Sequence, residues 1–267
     1  MKNYIILNNN KVDVSNSDPN SSLLDWLRIE KDLKGTKEGC AEGDCGACSI
    51  LLSPVVGGDL RPANSCLLKL GQVCGSDIFT VEGIGSQDKP NLVQNALTDF
   101  GGTQCGFCTP GFVISISSLL NKTTQPKESD IHDALAGNLC RCTGYKPIMD
   151  AIYNVEGKLD LKNCSPWMES NNFYGGESNF FYPKTVEEAY KISINNENSK
   201  YLSGGTDLNL IEPDSEFLKN FEGIGEIINI KLGPKLIKGR FLEVDNNGHL
   251  IIQENNVIKQ IKFGSII

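Results

Sequence analysis

Apolar positions recur at every second residue near the start of the chain and at every third to fourth residue after Pro90, and this change of period divides the sequence. Tyr4 to Leu7 is apolar and partly β-branched, Asn8 to Asn10 supply turn chemistry, and Val12 and Val14 alternate with polar neighbours, so a hairpin is expected. Ser21 or Ser22 is placed to cap a helix that carries Leu23, Leu24 and Leu27, with Trp26 beside them. A strand around Ala47 to Leu52, a turn at Val56 to Asp59 and a last strand at Asp77 to Val81 follow. Together these predict a small α+β roll of the β-grasp kind over residues 1–83.

Beyond Pro90, Leu92, Val93, Ala96, Leu97 and Phe100 fall on one helical face, which Gly101 and Gly102 close. Thr109 and Pro110 open a second helix bearing Phe112, Val113, Ile116, Leu119 and Leu120. A third starts near Ser129 with Ile131, Ala134, Leu135 and Leu139, and a fourth at Pro147 with Ile148, Ala151, Ile152 and Val155. Four short amphipathic helices predict a bundle over residues 84–160. Residues 161–178 are rich in Asn, Ser and Gly, lack periodicity and read as a linker. From 179 to 267, Phe180 to Pro183, a helix over Val186 to Ile192, the segment YLSGGTDLNL and Ile227 to Ile230 predict a strand, helix, strand, strand unit.

Composition narrows the function. In 267 residues, 39% apolar and 22% charged residues leave room for buried cores without marking a disordered tail. The net charge of -8 argues against a nucleic-acid partner and against an anionic membrane surface. No apolar run approaches the roughly 18 residues that span a bilayer, and the apolar stretch of the N-terminus is too short for a signal peptide, so a cytoplasmic protein is expected. Ten cysteines stand beside two histidines, and eight of the ten lie between Cys40 and Cys142. In a reducing compartment that clustering points to metal rather than disulfides. His132 and His249 are too isolated for a His-rich site.

Cys40, Cys45 and Cys48 have the C-x4-C-x2-C spacing of a plant-type [2Fe-2S] centre, with a single distal cysteine to complete it. Gly39, Gly43 and Gly46 would let the loop adopt positive φ and turn backbone N–H groups toward the sulfurs. Zinc is the rival, but its sites favour two C-x2-C pairs over one long glycine-rich loop. Cys66 and Cys74 compete as the fourth ligand, and spacing does not choose between them. The second group, Cys105 and Cys108 with Cys140 and Cys142, sits at two helix junctions that a bundle can bring to one end. Its spacing fits zinc as well as iron–sulfur. Cys74 and Cys164 otherwise read as spare small apolar residues.

The strings GTKEGCAEGDCGACSILL, ANSCLL, FTVEGIG, TQCGFCTPG and GNLCRCTGYKPI, in this order, resemble the iron–sulfur half of the xanthine dehydrogenase family of molybdenum hydroxylases. The resemblance is dense over residues 1 to about 155. It implies that Cys40, Cys45, Cys48 and Cys66 hold one [2Fe-2S] cluster in a ferredoxin-like domain, and that Cys105, Cys108, Cys140 and Cys142 hold a second in the helical domain. Gln104 matches a position associated with the pterin of the partner subunit, and reads equally well as an ordinary loop glutamine. FFYPKTVEEAYKI and YLSGGTDLNL resemble the opening of the family's FAD domain, which implies a flavin contact along Tyr201, Leu202, Ser203, Gly204, Gly205, Thr206, Asp207 and Leu208. Gly204 and Gly205 would permit a close backbone approach to the flavin diphosphate. The chain stops where that domain has most of its length to run, so a truncated or split FAD domain is expected, with flavin binding by this chain in doubt.

The resemblance thus implies an electron-transfer subunit of a molybdenum hydroxylase, of the bacterial xanthine dehydrogenase type, with no catalytic residue of its own. A separate large subunit would carry molybdopterin, another chain would complete the FAD domain, and NAD would be the last acceptor. Small subunits of aldehyde, carbon monoxide, nicotinate or aromatic acyl-CoA hydroxylases, and a free ferredoxin-like carrier, are the alternatives.

Overall fold

In the computed structural model the N-terminal alternation forms the hairpin of β1 (Tyr4–Leu7) and β2 (Asn10–Asp13). Asn8 and Asn9 between them take φ of 49° and 66°, the left-handed pair that a tight two-residue hairpin needs and that asparagine tolerates. The structure describes residues 3–53, 59–155, 157–161, 173–175, 178–196, 199–202, 206, 227–232, 235–244, 250–254, 257–261 and 265–266. Part of the turn expected at Val56 to Asp59 and most of the 161–178 segment lie outside these residues. The chain divides into two compact units, Met1–Asn209 and Leu210–Ile267.

In the first unit β3 (Ser49–Ser53), β4 (Arg61–Asn64) and β5 (Asp77–Phe79) complete a five-stranded sheet in the order β2-β1-β5-β3-β4. Only β1 and β5 run parallel. The pattern did not predict β4, since Arg61–Asn64 has no alternation and contains Pro62. At the sheet's edge the missing N–H of Pro62 costs no ladder bond. The last strand is shorter than expected, because Val81–Gly83 tightens into a 3-10 turn. Ser22 caps α1 (Leu23–Asp25), its hydroxyl accepting from the Asp25 N–H at 3.0 Å, and the helix widens at once into a π-helical turn over Trp26–Glu30.

The inner strands β3 and β5 are buried on both faces. Ile50 and Ile78 join Ile5, Trp26, Leu27 and Leu70 in one core, while their neighbours Leu51 and Phe79 point the other way into the helical core. A strand covered on both sides reads as an unbroken apolar run, as ILL and IF do here.

The helical core lies among α2 (Leu92–Asp99), α3 (Thr109–Lys122), α4 (Glu128–Leu135) and α5 (Lys146–Tyr153). Asn91 and Gln94 form a reciprocal capping box on α2, and Gly101, at φ 65°, ends the helix. The third helix stops four residues before Leu139, which is 54% exposed instead of facing the core as the periodicity predicted. Asn138 is buried in its stead, because its amide has partners in the cysteine loops.

The chain is tied down on both sides of the residues that are not described within the expected linker. Leu159 N–H donates to Leu120 O at 3.3 Å and Leu161 N–H to the Asn121 side chain at 2.8 Å. β6 (Phe173–Gly175) and β7 (Ser178–Phe180) form a hairpin whose Phe173 is 0% exposed within the core of Ile5 and Trp26. Phe180 covers Gly71, where an added Cβ would stand 2.5 Å from its ring, and Tyr182 donates its hydroxyl to the Gly71 carbonyl. Two large aromatic side chains with an apolar core within reach decide this segment more than its Asn and Ser content does. After it comes α6 (Val186–Asn195), capped by Thr185.

The second unit is an antiparallel sheet, β11-β10-β9-β8-β12, made of β8 (Ile227–Leu232), β9 (Lys235–Val244), β10 (Leu250–Glu254), β11 (Val257–Ile261) and β12 (Ser265–Ile266). Only β8 was expected. Among the described residues no helix is long and apolar enough to cross a membrane.

Candidate metal centres

The first cysteine loop is built to present N–H groups to sulfur. Ala41, Gly43 and Gly46 take φ of 59°, 88° and 69°, and the N–H groups of Glu42, Asp44 and Cys45 converge on Cys40 Sγ at 3.5, 3.3 and 3.4 Å. Gly39 is needed for a different reason than expected: it is absent from the positive-φ residues, but a Cβ there would stand 2.7 Å from Cys45 Sγ. The loop is tied to β4 by Asn64, whose amide donates to Gly43 O at 2.6 Å. Cys48 and Cys66 lie beneath it, 2% and 8% exposed beside Leu24, with their sulfurs 3.3 Å apart. Cys74 is in the other core, its thiol donating to Tyr4 O at 3.6 Å, so the structure brings Cys66 and not Cys74 to Cys48.

At the second group, Cys105 and Cys108 lead into α3, and Cys140 and Cys142 lie between α4 and α5. Cys105 and Cys142 sulfurs are 3.5 Å apart and exposed, while Cys108 meets Cys140 deeper in. The loop after Cys140 is held by its own side chains. Tyr145, at φ 67°, accepts from the Cys140 N–H at 3.0 Å, and Thr143 Oγ1 lies 3.1 Å from Cys140 Sγ. Gln104 is exposed next to Cys105.

Charge at these thiols follows the same contacts. Burial works against the Cys40 thiolate, but the N–H groups of Glu42, Cys45 and Asp44 outweigh it and hold the thiol below its ordinary value. Contact with Cys66 takes the Cys48 thiol down to about 6, and that contact, with burial added, pushes Cys66 above the usual thiol range. The Phe107 backbone, then Cys142, lowers Cys105, and Cys142 is raised by Cys105 in turn. Burial, then Cys140, pushes Cys108 up to about 12, while at Cys140 the Thr143 hydroxyl and backbone N–H groups overcome burial and lower the thiol. Within three of the sulfur pairs, then, one member holds its proton and its neighbour releases it readily. A metal held by these thiols would displace the retained proton.

The two groups touch. Leu139 N–H donates to Cys45 O at 3.0 Å, Asn138 donates its amide to Gly46 O at 3.3 Å, and Ser115 donates to Asn138 Oδ1 at 2.7 Å. Gly46 and Gly111 meet so closely that a Cβ on Gly111 would stand 2.2 Å from Gly46 O. Sequence reasoning found neither Asn138 nor Thr143 as site residues. Both lie in GNLCRCTGYKPI, whose polar residues carry no periodic signal.

Among the described residues no three His, Cys, Asp or Glu side chains form a group suited to one metal ion. The thiols come together two by two: Cys40 with Cys45, Cys48 with Cys66, Cys105 with Cys142, and Cys108 with Cys140. Two thiolates on each of two irons is what a [2Fe-2S] cluster asks of its protein, and N–H groups aimed at sulfur suit its negative charge. The residues therefore fit such clusters. Of the proposed flavin segment, Tyr201 is exposed, with its hydroxyl 3.4 Å from Ala189 O; Leu202 is half-buried and Thr206 exposed. Ser203, Gly204, Gly205, Asp207 and Leu208 lie outside the described residues, as does Cys164.

Comparison with known proteins bears on the same half of the chain. The sequence model of a [2Fe-2S] binding domain matches residues 80–153. A xanthine dehydrogenase from Blastobotrys adeninivorans is 47% identical over 150 residues, 54% of this chain and 11% of that protein, so the chain spans about a tenth of that relative's length. The nicotinate dehydrogenase small FeS subunit of Eubacterium barkeri is 43% identical over 141 residues, 52% of this chain and 86% of that subunit. In the crystal structure of quinoline 2-oxidoreductase from Pseudomonas putida 86, one chain superposes with a TM-score of 0.51 at 36% identity, covering 58% of this chain and 91% of that one. With an iron–sulfur subunit covered almost end to end at this identity, and with the cysteine loops folded for thiolate ligation, the chain belongs to the molybdenum hydroxylase family.

Proposed function

We propose that the chain is the electron-transfer part of a molybdenum hydroxylase, with one [2Fe-2S] cluster on Cys40, Cys45, Cys48 and Cys66 and a second on Cys105, Cys108, Cys140 and Cys142. The observation that carries this is the two-by-two meeting of the thiols at both groups. When bound, such clusters supply one-electron carriers between a two-electron oxidation and a two-electron acceptor. The chain's own residues hold, shield and space them. Backbone N–H groups at Cys40 offset thiolate charge, Leu24 shields Cys48 and Cys66, and the bond from Leu139 to Cys45 keeps the second loop against the first. No residue here acts on substrate; the substrate would be hydroxylated at molybdopterin on a large partner subunit, beside Gln104 and the exposed Cys105 and Cys142.

The domain reading is a ferredoxin-like β-grasp domain over 1–83, a helical cluster domain over 84–160 and the start of a FAD domain over 179–267, in a cytoplasmic enzyme of the xanthine dehydrogenase type that passes electrons to FAD and NAD. The matched coverage of a nicotinate dehydrogenase FeS subunit supports a second reading, in which the flavin is carried wholly by another chain. Iron, sulfide and flavin analysis with the absorption spectrum tests both. Four iron and four sulfide per chain are expected; zinc without visible absorption would sink the proposal. Bound flavin would favour the xanthine dehydrogenase type over the second reading, and co-purification of a large molybdenum-containing chain would eliminate a free carrier.

A further inference from the structure

Resting on the proposed second cluster, the geometry points to Thr143 as a residue that raises that cluster's reduction potential, by donating a hydrogen bond from its hydroxyl to Cys140 Sγ. The argument begins with the hydroxyl's own bonding. Thr143 Oγ1 accepts from the Tyr145 N–H at 3.1 Å and lies 3.1 Å from Cys140 Sγ. A hydroxyl carries one proton, and here a lone pair is already engaged by Tyr145. A cysteine bound to iron is a thiolate and has no proton to give. The direction is therefore fixed: Thr143 donates and sulfur accepts.

The loop holds that geometry. Tyr145 is in the left-handed region at φ 67°, its hydroxyl accepts from the Cys140 N–H at 3.0 Å, and its ring meets Phe112 edge-on at 6.4 Å. Cys140, Thr143 and Tyr145 thus form a closed set of three hydrogen bonds anchored on the helical core. A hydrogen bond to a ligating sulfur draws charge from it and favours the reduced, more negative cluster, so it shifts the potential upward. At the first group the donors to Cys40 are backbone N–H groups, which a side-chain substitution other than proline leaves in place. At Cys140 a side-chain hydroxyl joins the backbone N–H groups of Thr143 and Cys142, so part of the second potential is open to change by a single residue while the first is left alone.

Redox titration of the full-length, iron-loaded chain, followed by electron paramagnetic resonance, tests this with Thr143→Val, which keeps the shape and removes the donor, and Thr143→Ser, which restores the donor. One of the two midpoints is expected to fall in Thr143→Val and to return in Thr143→Ser, with the other midpoint unmoved in both. Thr143→Ala must shift the same midpoint in the same direction. Unchanged midpoints in Thr143→Val at full iron content would overturn the inference, as would a Thr143→Ser variant that behaves like valine. Loss of iron from both hydroxyl-free variants would overturn it as well, in favour of a role in assembly. Failure of the parent reading looks different: the unsubstituted chain would then lack four iron and four sulfide.

Discussion

The two cysteine groups solve the same ligand problem at opposite depths. Cys48 and Cys66 are buried under a loop whose backbone supplies the donors, whereas Cys105 and Cys142 are exposed on a junction braced by Thr143 and Tyr145. The sheet-side group has two buried and two half-buried thiols; the helix-side group has two half-buried and two exposed, with Phe107, Leu139 and Tyr145 exposed around it. In the proposed relay the more exposed group would be the one that meets an outside donor. The contrast also implies different tolerances, since substitutions around the buried Cys48 and Cys66 disturb a packed core and those around the exposed Cys105 and Cys142 do not.

The largest effect that can break this contrast is loss of a whole cluster. Cys48→Ser and Cys142→Ser should each lower iron from four to two per chain, read by metal analysis. Challenge of the intact chain with a strong iron chelator should proceed in two phases, the fast one missing from Cys142→Ser and retained in Cys48→Ser; a single phase would end the distinction of depth. Next is Gly46→Ala, which combines left-handed strain with a Cβ 2.2 Å from Gly137 O, and should cost about 3 kcal/mol in a urea unfolding series. Asn138→Ala leaves Ser115 and the Gly46 carbonyl without their buried partner and should cost about 1–3 kcal/mol. It should also change the magnetic interaction between the two reduced clusters, which a merely local loss would not. Smallest is Asn91→Ala, which removes the capping box of α2 for about 1 kcal/mol and should leave iron content and both midpoints as they were.

How far the sequence carried the fold depended on whether local pattern and burial agreed. Helices α2, α3 and α5 were legible because their apolar stripes face one core, and the hairpin at Asn8 and Asn9 because both residues accept positive φ. The end of the third helix was not, because Leu139 keeps helical spacing although Asn138 is the residue whose partners draw it inward. Spacing put eight cysteines into two groups. Which of Cys66 and Cys74 lies by Cys48 was a matter of tertiary structure, since the 3-10 turns at Ser65–Leu67 and Gly71–Val73 carry the two into different cores. Asn138 and Thr143 gave no signal because a polar residue's value here comes from a partner up to 92 positions away, or from a loop conformation, and neither leaves a period in the chain.

Phe173 bears on where the chain can be cut. Composition marks residues 161–178 as the natural place to separate the cysteine-bearing half from the rest, yet a chain ending there would lose the aromatic side chain that completes the core beneath β1 and β5, together with the Phe180 and Tyr182 contacts at Gly71. The severed half would carry an exposed apolar recess, a surface prone to association. A cut after Tyr182 would retain these contacts, which makes the end of that second hairpin a better place to divide the chain than the Asn- and Ser-rich stretch before it.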